Sequence, residues 1–511
     1  MLKTQPVTAI LHRSRLNLTL NTATTPPTAS PAYPVSRMST TENAIRVQPP
    51  PEATEELRQG KPQQVKGAYF PLGYKEAAYQ WWSSVTPSMA ERNVLKHIPF
   101  LKEATTSMAS LSTTDQTDSF GARIWRRSMV QLSGKNRALN EFSVERVGEE
   151  PEETLVMVHG YGAGLGFFYK NFEPISRIPG LKLYALDMLG MGNSSRPPFK
   201  IHSKDKEAKV IEAENFFIDA LEEWRKARKI ERFTLLGHSL GGYLAVSYAL
   251  KYPGHLKKLI LASPVGIPED PYAVNSALPE PGESTMQNEF TVDQQTTTKT
   301  DAAVAPKRPY PNWLIWLWDA NVSPFSIVRL AGPLGPRFVS GWTSRRFNHL
   351  PTEEAQTLHD YSFSIFKQKG SGEYALAYIL APGAFARRPV INRIQDVGRQ
   401  PIKGPDGETV AKETGIPVVF MYGENDWMDV AGGLAAEEKL KQVKANVMRT
   451  GTEEEKSNEN GSCKVVVVPK AGHHLYLDNA EFFNNIMRKE MEDVKETEKR
   501  KQAAASSSSS S

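Results

Sequence analysis

The stretch Phe233-Thr234-Leu235-Leu236-Gly237-His238-Ser239-Leu240-Gly241-Gly242 decides the fold class of this chain. Its first four residues are mostly apolar and predict a short buried strand, and the segment 242–246 predicts the start of a helix. Between them, Gly-x-Ser-x-Gly is typical of a sharp strand–turn–helix connection that carries a nucleophilic serine. Glycines on both sides suit a strained turn that packs closely against its neighbours. The stretch therefore predicts that Ser239 is a nucleophile at a helix N-terminus, where N–H groups favour developing negative charge.

Apolar strand signals alternate with helical segments on both sides of this turn. A helix with an apolar face is predicted over 212–229. Strands are predicted at 154–158, 182–187, 233–237, 258–263, 417–422 and 464–468. This alternation predicts an α/β fold with a mostly parallel sheet flanked by helices. Because strand signals stop after 263 and return only at 417, the interruption predicts an inserted helical cap.

Composition and pattern divide the chain into five segments. The first 65 residues are rich in Pro, Thr and Ser without periodicity, which predicts disorder. The aromatic, amphipathic stretch 76–102 predicts helical material packed on the core or projecting from it. The predicted segments are a disordered leader at 1–65, the two parts of the α/β core at 66–270 and 401–495, the cap or lid at 271–400, and a disordered tail at 496–511.

A serine nucleophile needs a base, and the base needs an acid that orients it. In folds with this strand–turn–helix connection the order along the chain is serine, then acid, then histidine, with the last two in loops after late strands. Asp426 follows the predicted strand 417–422, and His473 follows the predicted strand 464–468. The sequence therefore predicts the triad Ser239, Asp426 and His473. Asp429 lies in the same loop as Asp426 and is an alternative acid.

An oxyanion hole is expected from two backbone N–H groups, one on the residue after the nucleophile and one on a loop after an early strand. Leu240 supplies the first donor. The predicted strand 154–158 runs into the glycine-rich loop 159–164, which is of the right type for the second. We predict the N–H of Tyr161 as that donor, with Gly162 as the next choice.

Charge separates the beginning of the chain from the rest. The formal charge is +5, and residues 1–41 contain four basic residues and no acidic ones, so that the remaining chain carries about +1. A nucleic-acid-binding protein is expected to keep its basic excess in the folded part, so we predict no nucleic-acid partner. An Arg-containing, Ser/Thr-rich, acid-free start predicts a mitochondrial transit peptide. The alternative is a plain disordered tail, with Met38 as another start site.

Other residue counts exclude several classes of site. Cys463 is the single cysteine, which excludes an intrachain disulfide and any multi-cysteine metal site and fits a reducing compartment or the mitochondrial matrix. We predict no metal and no organic cofactor. The longest apolar runs, such as 259–262, fall far short of the roughly 18 residues that a membrane-spanning helix needs.

An apolar cluster in the predicted cap bears on the substrate. Trp313, Trp316 and Trp318 alternate with aliphatic residues over a width greater than one helical face. Packing in the core is one interpretation. The other is a surface that enters the headgroup region of a membrane, where Trp is favoured, and Trp81 and Trp82 are candidates for the same role.

The sequence resembles the α/β-hydrolase-fold proteins over about residues 75–490, and within them the branch of lysophospholipid acyltransferases and mitochondrial cardiolipin deacylases. The matching motifs are 186–192, 332–347, 422–429 and the H-x4-D motif formed by His473 and Asp478. H-x4-D is where an acyltransferase interpretation begins. The alternative is that Asp478, three residues before Glu481, caps the last helix.

The resemblance and the predicted triad together imply a phospholipid acyl hydrolase. With the transit-peptide-like start, the expected reaction is deacylation of cardiolipin to monolysocardiolipin and a free fatty acid. The expected location is the matrix side of the mitochondrial inner membrane, as a peripheral protein. Two alternatives stay open: an acyl-CoA-dependent acyltransferase that acts on a lysophospholipid such as lysophosphatidic acid, and a non-catalytic, lipid-binding regulator of a lipase. Relatives in the branch can lack the nucleophile, but Ser239 is present here.

Overall fold

Nine strands form the central sheet in a computed structural model, which describes residues 70–83, 85–104, 118–270, 284–285, 318 and 320–508. The strands are β1 (Lys102–Glu103), β2 (Arg123–Gln131), β3 (Ala138–Arg146), β4 (Glu153–Val158), β5 (Leu181–Leu186), β6 (Phe233–His238), β7 (Leu256–Ala262), β8 (Pro417–Gly423) and β9 (Ser462–Val468). Their order across the sheet is β1-β2-β3-β5-β4-β6-β7-β8-β9. Every pair from β5 to β9 is parallel, while β3 runs antiparallel to both of its neighbours. This is the mostly parallel sheet of the predicted α/β-hydrolase fold.

The six predicted strands are β4 to β9, and their ends lie within two residues of the predicted ones. Each is a short apolar run, as expected for strands whose two faces are both covered. The hairpin of β2 and β3 was not predicted, because charged residues interrupt its apolar pattern. Arg126 on β2 pairs with Glu145 on β3 at 2.9 Å, so the charges that hide the strand signal are satisfied across the hairpin.

Helices cover both faces of the sheet. The helices are α1 (Tyr74–Ser83), α2 (Pro87–Leu95), α3 (Tyr169–Ile175), α4 (Lys206–Ala227), α5 (Leu240–Lys251), α6 (Pro324–Leu330), α7 (Gly335–Arg346), α8 (Thr352–Phe366), α9 (Leu376–Ile379), α10 (Val430–Thr450), α11 (Glu453–Ser457), α12 (Leu475–Asp478) and α13 (Ala480–Ser508). Glu141 of β3 accepts a hydrogen bond from Trp224 of α4, and the next residue, Phe142, stacks on Phe172 of α3. Since successive strand residues point to opposite faces, α4 and α3 lie on opposite sides.

The described part of the insertion between β7 and β8 carries the helices α6 to α9. The helices α6, α7 and α8 pack through aromatic contacts: Phe325 of α6 stacks on Phe366 of α8 with ring centroids 4.4 Å apart, and Trp342 of α7 lies 5.7 Å from the same ring. Trp318 is 4% exposed, and its indole N–H donates to the carbonyl of Leu380 at 3.1 Å, so this tryptophan belongs to the core. Trp313 and Trp316 lie outside the described residues.

Among the described residues, three short strand pairs lie outside the central sheet. They are Ser284–Thr285 with Asn321–Val322, Leu380–Ala381 with Phe385–Ala386, and Pro401–Lys403 with Thr409–Lys412. In the described part of the chain no helix is both long enough and apolar enough to cross a bilayer.

The structure describes the C-terminal end of the chain but not the predicted N-terminal leader. The leader at 1–65, with its predicted transit peptide, lies outside the described residues. The tail predicted as disordered at 496–511 overlaps α13, which continues to Ser508. Strong helix formers such as Glu, Lys, Gln and Ala dominate this part of the chain and extend a helix whose first turns are anchored on the core.

Candidate active site

Ser239 lies at the sharp turn between β6 and α5. Its backbone is left-handed, with φ 53° and ψ −118°, a conformation that is costly for a residue with a side chain. Two glycines make the turn possible. A Cβ on Gly237 would lie 2.3 Å from the carbonyl oxygen of Gly241, and a Cβ on Gly241 would lie 2.5 Å from that of His159. The predicted Gly-x-Ser-x-Gly connection is therefore the one that the chain forms.

Ser239 and His473 are in direct contact although 234 residues separate them in sequence. The Oγ of Ser239 lies 3.0 Å from Nε2 of His473, within hydrogen-bond distance. Both side chains are buried, and Ser239 is 1% exposed. This is the distance that a general base needs in order to take the hydroxyl proton.

Asp426 completes the chain of hydrogen bonds. Its Oδ1 lies 3.1 Å from Nδ1 of His473, and its Oδ2 accepts a 2.5 Å hydrogen bond from the Ser263 hydroxyl. Burial raises the pKa of Asp426, but the His473 ring and the Ser263 hydroxyl outweigh it and hold the pKa of this carboxyl below its usual range. The acid is therefore a carboxylate at neutral pH, as orientation of the histidine requires.

The alternative acid has another role. Asp429 is the N-cap of α10, and its Oδ1 accepts a hydrogen bond from the N–H of Ala431 at 2.9 Å. Its side chain is exposed, while that of Asp426 is buried against the histidine. Of the two acids that the sequence left open, the structure brings Asp426 to His473.

The loop between β4 and α3 passes directly over the nucleophile. A Cβ on Gly160 would lie 2.8 Å from the Cβ of Ser239, so only glycine allows this approach. Tyr161 follows, buried, with its ring stacked on Phe325 of α6 at 5.2 Å. Leu240 is the first residue of α5, so its N–H has no acceptor within the helix. The backbone of both predicted oxyanion donors thus lies beside Ser239, and the choice of Tyr161 over Gly162 stays a prediction.

Two further histidines surround the triad. The Nε2–H of His238 donates to the carbonyl of His473 at 3.0 Å, and burial together with the neighbouring His473 ring lowers the pKa of His238 well below its usual value. His238 is therefore neutral and supports the loop. His474 turns its ring toward Phe167 and contacts the guanidinium of Arg346 from the cap.

Asp478, the acid of the H-x4-D motif, does not cap the last helix. Asn479 caps α13 instead, because its Oδ1 accepts from the N–H of Phe482 at 3.2 Å. The Oδ2 of Asp478 accepts from the N–H of Gly472 at 2.9 Å, and its Oδ1 lies 3.7 Å from Nε2 of His349. The prediction that Asp478 caps the last helix is thus wrong. Asp478 instead binds the backbone of Gly472, the residue that precedes the triad histidine.

Sequence reasoning missed two residues that hold the site. Ser263, at the end of β7, binds the triad acid, and Asp187, after β5, accepts from the N–H of Leu165 in the loop over Ser239. The motif at 186–192 contained Asp187 but gave no indication of its partner. Ser263 has no local signal, because only the parallel pairing of β7 with β8 brings it to Asp426.

Comparisons with known proteins agree with this architecture. A family model described as the alpha/beta hydrolase fold matches residues 153–308. The chain is 35% identical over 366 residues to a 1-acylglycerol-3-phosphate O-acyltransferase of Arabidopsis thaliana, with 70% of each chain covered. It is 30% identical over 365 residues to the 1-acylglycerol-3-phosphate O-acyltransferase ABHD5 of Mus musculus, covering 70% of this chain and 82% of that one.

A lipase is among the relatives as well. Over 362 residues the chain is 29% identical to the (Lyso)-N-acylphosphatidylethanolamine lipase of Mus musculus, covering 70% of this chain and 84% of that one. All three relatives carry names that describe acyl chemistry on lipids. Since the identity to the plant relative extends over more than two thirds of both chains, the chain belongs to the α/β hydrolase family, among its lipid-modifying members.

Proposed function

We propose that the protein is a serine carboxylic-ester hydrolase that removes acyl chains from phospholipids. One observation carries this proposal: the continuous contact from Ser239 Oγ to His473 Nε2, and from His473 Nδ1 to the Asp426 carboxylate. A hydroxyl, a base and a buried acid at these distances form the arrangement that activates a serine for acyl transfer.

The reaction follows from these contacts. His473 takes the proton of Ser239 while Oγ attacks the acyl carbonyl, and the N–H groups of Leu240 and the 159–164 loop bind the oxyanion. His473 then gives the proton to the departing lysophospholipid oxygen, leaving an acyl-serine. Water, deprotonated by His473, attacks that ester and releases the fatty acid. Asp426 keeps the imidazole in one tautomer and stabilises its positive charge.

Cardiolipin is the substrate that we propose, with location as its main support. The acid-free start with Arg13 and Arg15 supports import into mitochondria, and cardiolipin deacylation was implied by the resemblance of the motifs. A fusion of residues 1–41 to a fluorescent reporter is expected to enter mitochondria, with Arg13→Glu/Arg15→Glu as the matched control. A cytosolic reporter would remove the main reason to prefer cardiolipin over other phospholipids.

Acyl transfer to a lysophospholipid is the second candidate. Two of the relatives are named as acyltransferases, and the chain has the H-x4-D motif at His473 and Asp478. In the structure the contact of Asp478 with the N–H of Gly472 already accounts for that acid, since it fixes the loop of the triad histidine. This contact favours hydrolysis, because it gives Asp478 a role without acyl-CoA.

An exposed apolar surface supports peripheral contact with a membrane. Trp82 on α1 is 83% exposed, and Leu330 at the end of α6 is 87% exposed. α1 is a neighbour of α7, the helix that follows α6, because the guanidinium of Arg337 on α7 lies 4.3 Å from the ring of Tyr74 on α1. Indole and aliphatic side chains beside a cation suit the headgroup boundary of a bilayer. The apolar face consists of Tyr74, Trp81, Trp82, Leu330, Leu334 and Phe338.

The proposed function is tested with purified protein and lipid vesicles. Vesicles of cardiolipin, phosphatidylethanolamine or phosphatidic acid are incubated with the protein, and free fatty acid and lysolipid are quantified by mass spectrometry. Wild type should release fatty acid, and Ser239→Ala should fold but lose on the order of 10⁵–10⁶ in kcat, because triad members act as a unit. Equal release by both proteins would remove Ser239 as the nucleophile. Incorporation of acyl groups from acyl-CoA into lysolipid, without hydrolysis, would favour the acyltransferase.

A further inference from the structure

Two buried acids outside the triad, Glu91 and Asp187, are linked by hydrogen bonds. Glu91 comes from α2 and is completely shielded from solvent. Its Oε2 accepts hydrogen bonds from the side-chain amides of Asn140 and Asn193, each at 2.8 Å, and its Oε1 lies 3.2 Å from the guanidinium of Arg127. A buried carboxylate with this many donors is costly to place and requires its surroundings to be fixed.

The same amide joins Glu91 to the loop over the nucleophile. The Nδ2 group of Asn140 also donates to Oδ2 of Asp187 at 2.8 Å, so that one amide bridges the two carboxylates. The other oxygen of Asp187 accepts from the N–H of Leu165 at 2.7 Å. Leu165 ends the loop whose beginning, Gly160, touches Ser239. The contacts therefore run from α2 through the sheet to the predicted oxyanion loop.

The inserted helix α8 also contacts Glu91 and the loop over Ser239. The hydroxyl of Tyr361 on α8 accepts from the N–H of Gly166 at 3.3 Å and lies 3.4 Å from Oε2 of Glu91. A Cβ on Gly164 would lie 2.3 Å from that hydroxyl, so the loop fits against Tyr361 without free space. Any change in the Glu91 site is thus transmitted to a loop that has no room to adjust independently.

The protonation of Glu91 beside Asp187 depends on pH near neutrality. Burial and the nearby Asp187 raise the pKa of Glu91 to about 7, against the lowering effect of Arg127. The other titratable groups that face the pair are Tyr361 from the inserted helices, Arg196, whose charge interacts with Asp187, and His159, whose Nε2 is 3.5 Å from Asp187. Glu91 therefore keeps its proton below about pH 7 and ionises above it, which places a negative charge beside the side chain of Asp187.

We propose that Glu91 is a positioning residue of the hydrolytic site, which acts through Asn140 and Asp187 to fix the loop that binds the oxyanion. The proposal rests on the proposed function. It also assigns a role to α2, which lies outside the stretch 153–308 that the family model matches. Because the loop binds charge that develops only in the transition state, a disturbed Glu91 lowers kcat and leaves KM unchanged.

The test compares Glu91→Gln, Glu91→Ala and the control Glu222→Gln in the full chain. Glu222 is a buried acid as well, bonded to Arg225 and the Tyr248 hydroxyl between α4 and α5, away from the loop. Hydrolysis of the soluble ester p-nitrophenyl butyrate is measured from pH 6 to 9, with Ser239→Ala as the blank. Melting curves and circular dichroism show whether each variant is folded.

We expect Glu91→Ala to lower kcat by about 10²-fold with KM unchanged, comparable to the loss of one oxyanion donor. Glu91→Gln should restore most of that activity at pH 6, because its amide resembles the protonated acid. Wild-type kcat should decline above about pH 7, where Glu91 ionises, and Glu91→Gln should lack this decline. Glu222→Gln should keep the wild-type kcat and pH profile.

Several results would overturn the proposal. One is a folded Glu91→Ala variant with the kcat of wild type. Another is an equal loss of kcat in Glu222→Gln, because this would show that removing any buried acid lowers activity through stability. If Glu91→Ala does not fold, Glu91→Gln decides: a profile identical to that of wild type rejects the role. If the wild type shows no more turnover than Ser239→Ala, the proposed function is rejected and the inference with it. This outcome is distinguishable, because then no variant differs from the blank.

Discussion

The hydroxyl of Ser263 donates a 2.5 Å hydrogen bond to the Oδ2 of Asp426, on the side of the carboxylate that faces away from His473. Ser263 follows β7 in a left-handed conformation, with φ 45°. Asp426 is thus held from both sides, with the histidine on one oxygen and a serine from the neighbouring strand on the other. This bond keeps the carboxylate ionised and aimed at the base.

Removal of this hydroxyl should destabilise the protein in a pH-dependent manner. A hydrogen bond to a charged group contributes about 1.5–3 kcal/mol, so Ser263→Ala should lose that much unfolding free energy at pH 7. The lowered pKa of Asp426 stabilises the fold above the usual aspartate pKa of about 3.9, and this is lost as pH falls through the folded-state value. Urea unfolding from pH 7 to pH 3 should show the difference from wild type shrink. A difference that is constant with pH would mean that Asp426 is not the partner.

Substitutions of Asp426 and Asp429, which lie in the same loop, should differ in their effect on kcat. Asp426→Asn should lower kcat by about 10⁴-fold, because the amide favours the wrong histidine tautomer. Asp429→Asn is the matched control and should retain most activity, since Asp429 only caps α10. Steady-state hydrolysis of p-nitrophenyl butyrate measures both. The opposite ranking would assign the triad acid to Asp429.

Substitution of Asp478 separates hydrolysis from acyl transfer. Asp478→Asn keeps an oxygen that can accept from the N–H of Gly472, so we expect hydrolysis close to that of wild type. Asp478→Ala removes the acceptor and should reduce kcat, because the loop of His473 loosens. Both variants are assayed for ester hydrolysis and for acyl transfer from acyl-CoA to lysophosphatidic acid. Selective loss of transfer in Asp478→Asn would support the acyltransferase interpretation.

The apolar face should govern binding to membranes. Trp82→Ser combined with Leu330→Ser should reduce flotation with cardiolipin liposomes while hydrolysis of p-nitrophenyl butyrate stays intact. Binding should weaken little between low and high salt, since salt screens charges and not apolar burial. Met448→Ser on α10 is the control, because Met448 is exposed but lies away from this face. Equal flotation of all proteins would reject the face as the contact surface.

The sequence by itself determined the features that depend on neighbours along the chain. Gly237, Ser239 and Gly241 specify the turn, because its strain and close packing allow few other residues. Short apolar runs located β4 to β9, and the order of elements placed an acid and a histidine after late strands. Local signals were also misleading: Asp478 has the spacing of a helix cap, yet Asn479 caps α13.

Tertiary structure alone decided which polar groups meet. The choice of Asp426 over Asp429 depends on where the loop after β8 passes the loop after β9, and the two acids are three residues apart in sequence. The contact between Ser263 and Asp426 exists because β7 and β8 pair in parallel, although 163 residues separate the two side chains. A hydrogen bond between distant residues has no periodicity and no spacing, so the sequence carries no local signal for it, and only the packed sheet brings such groups together.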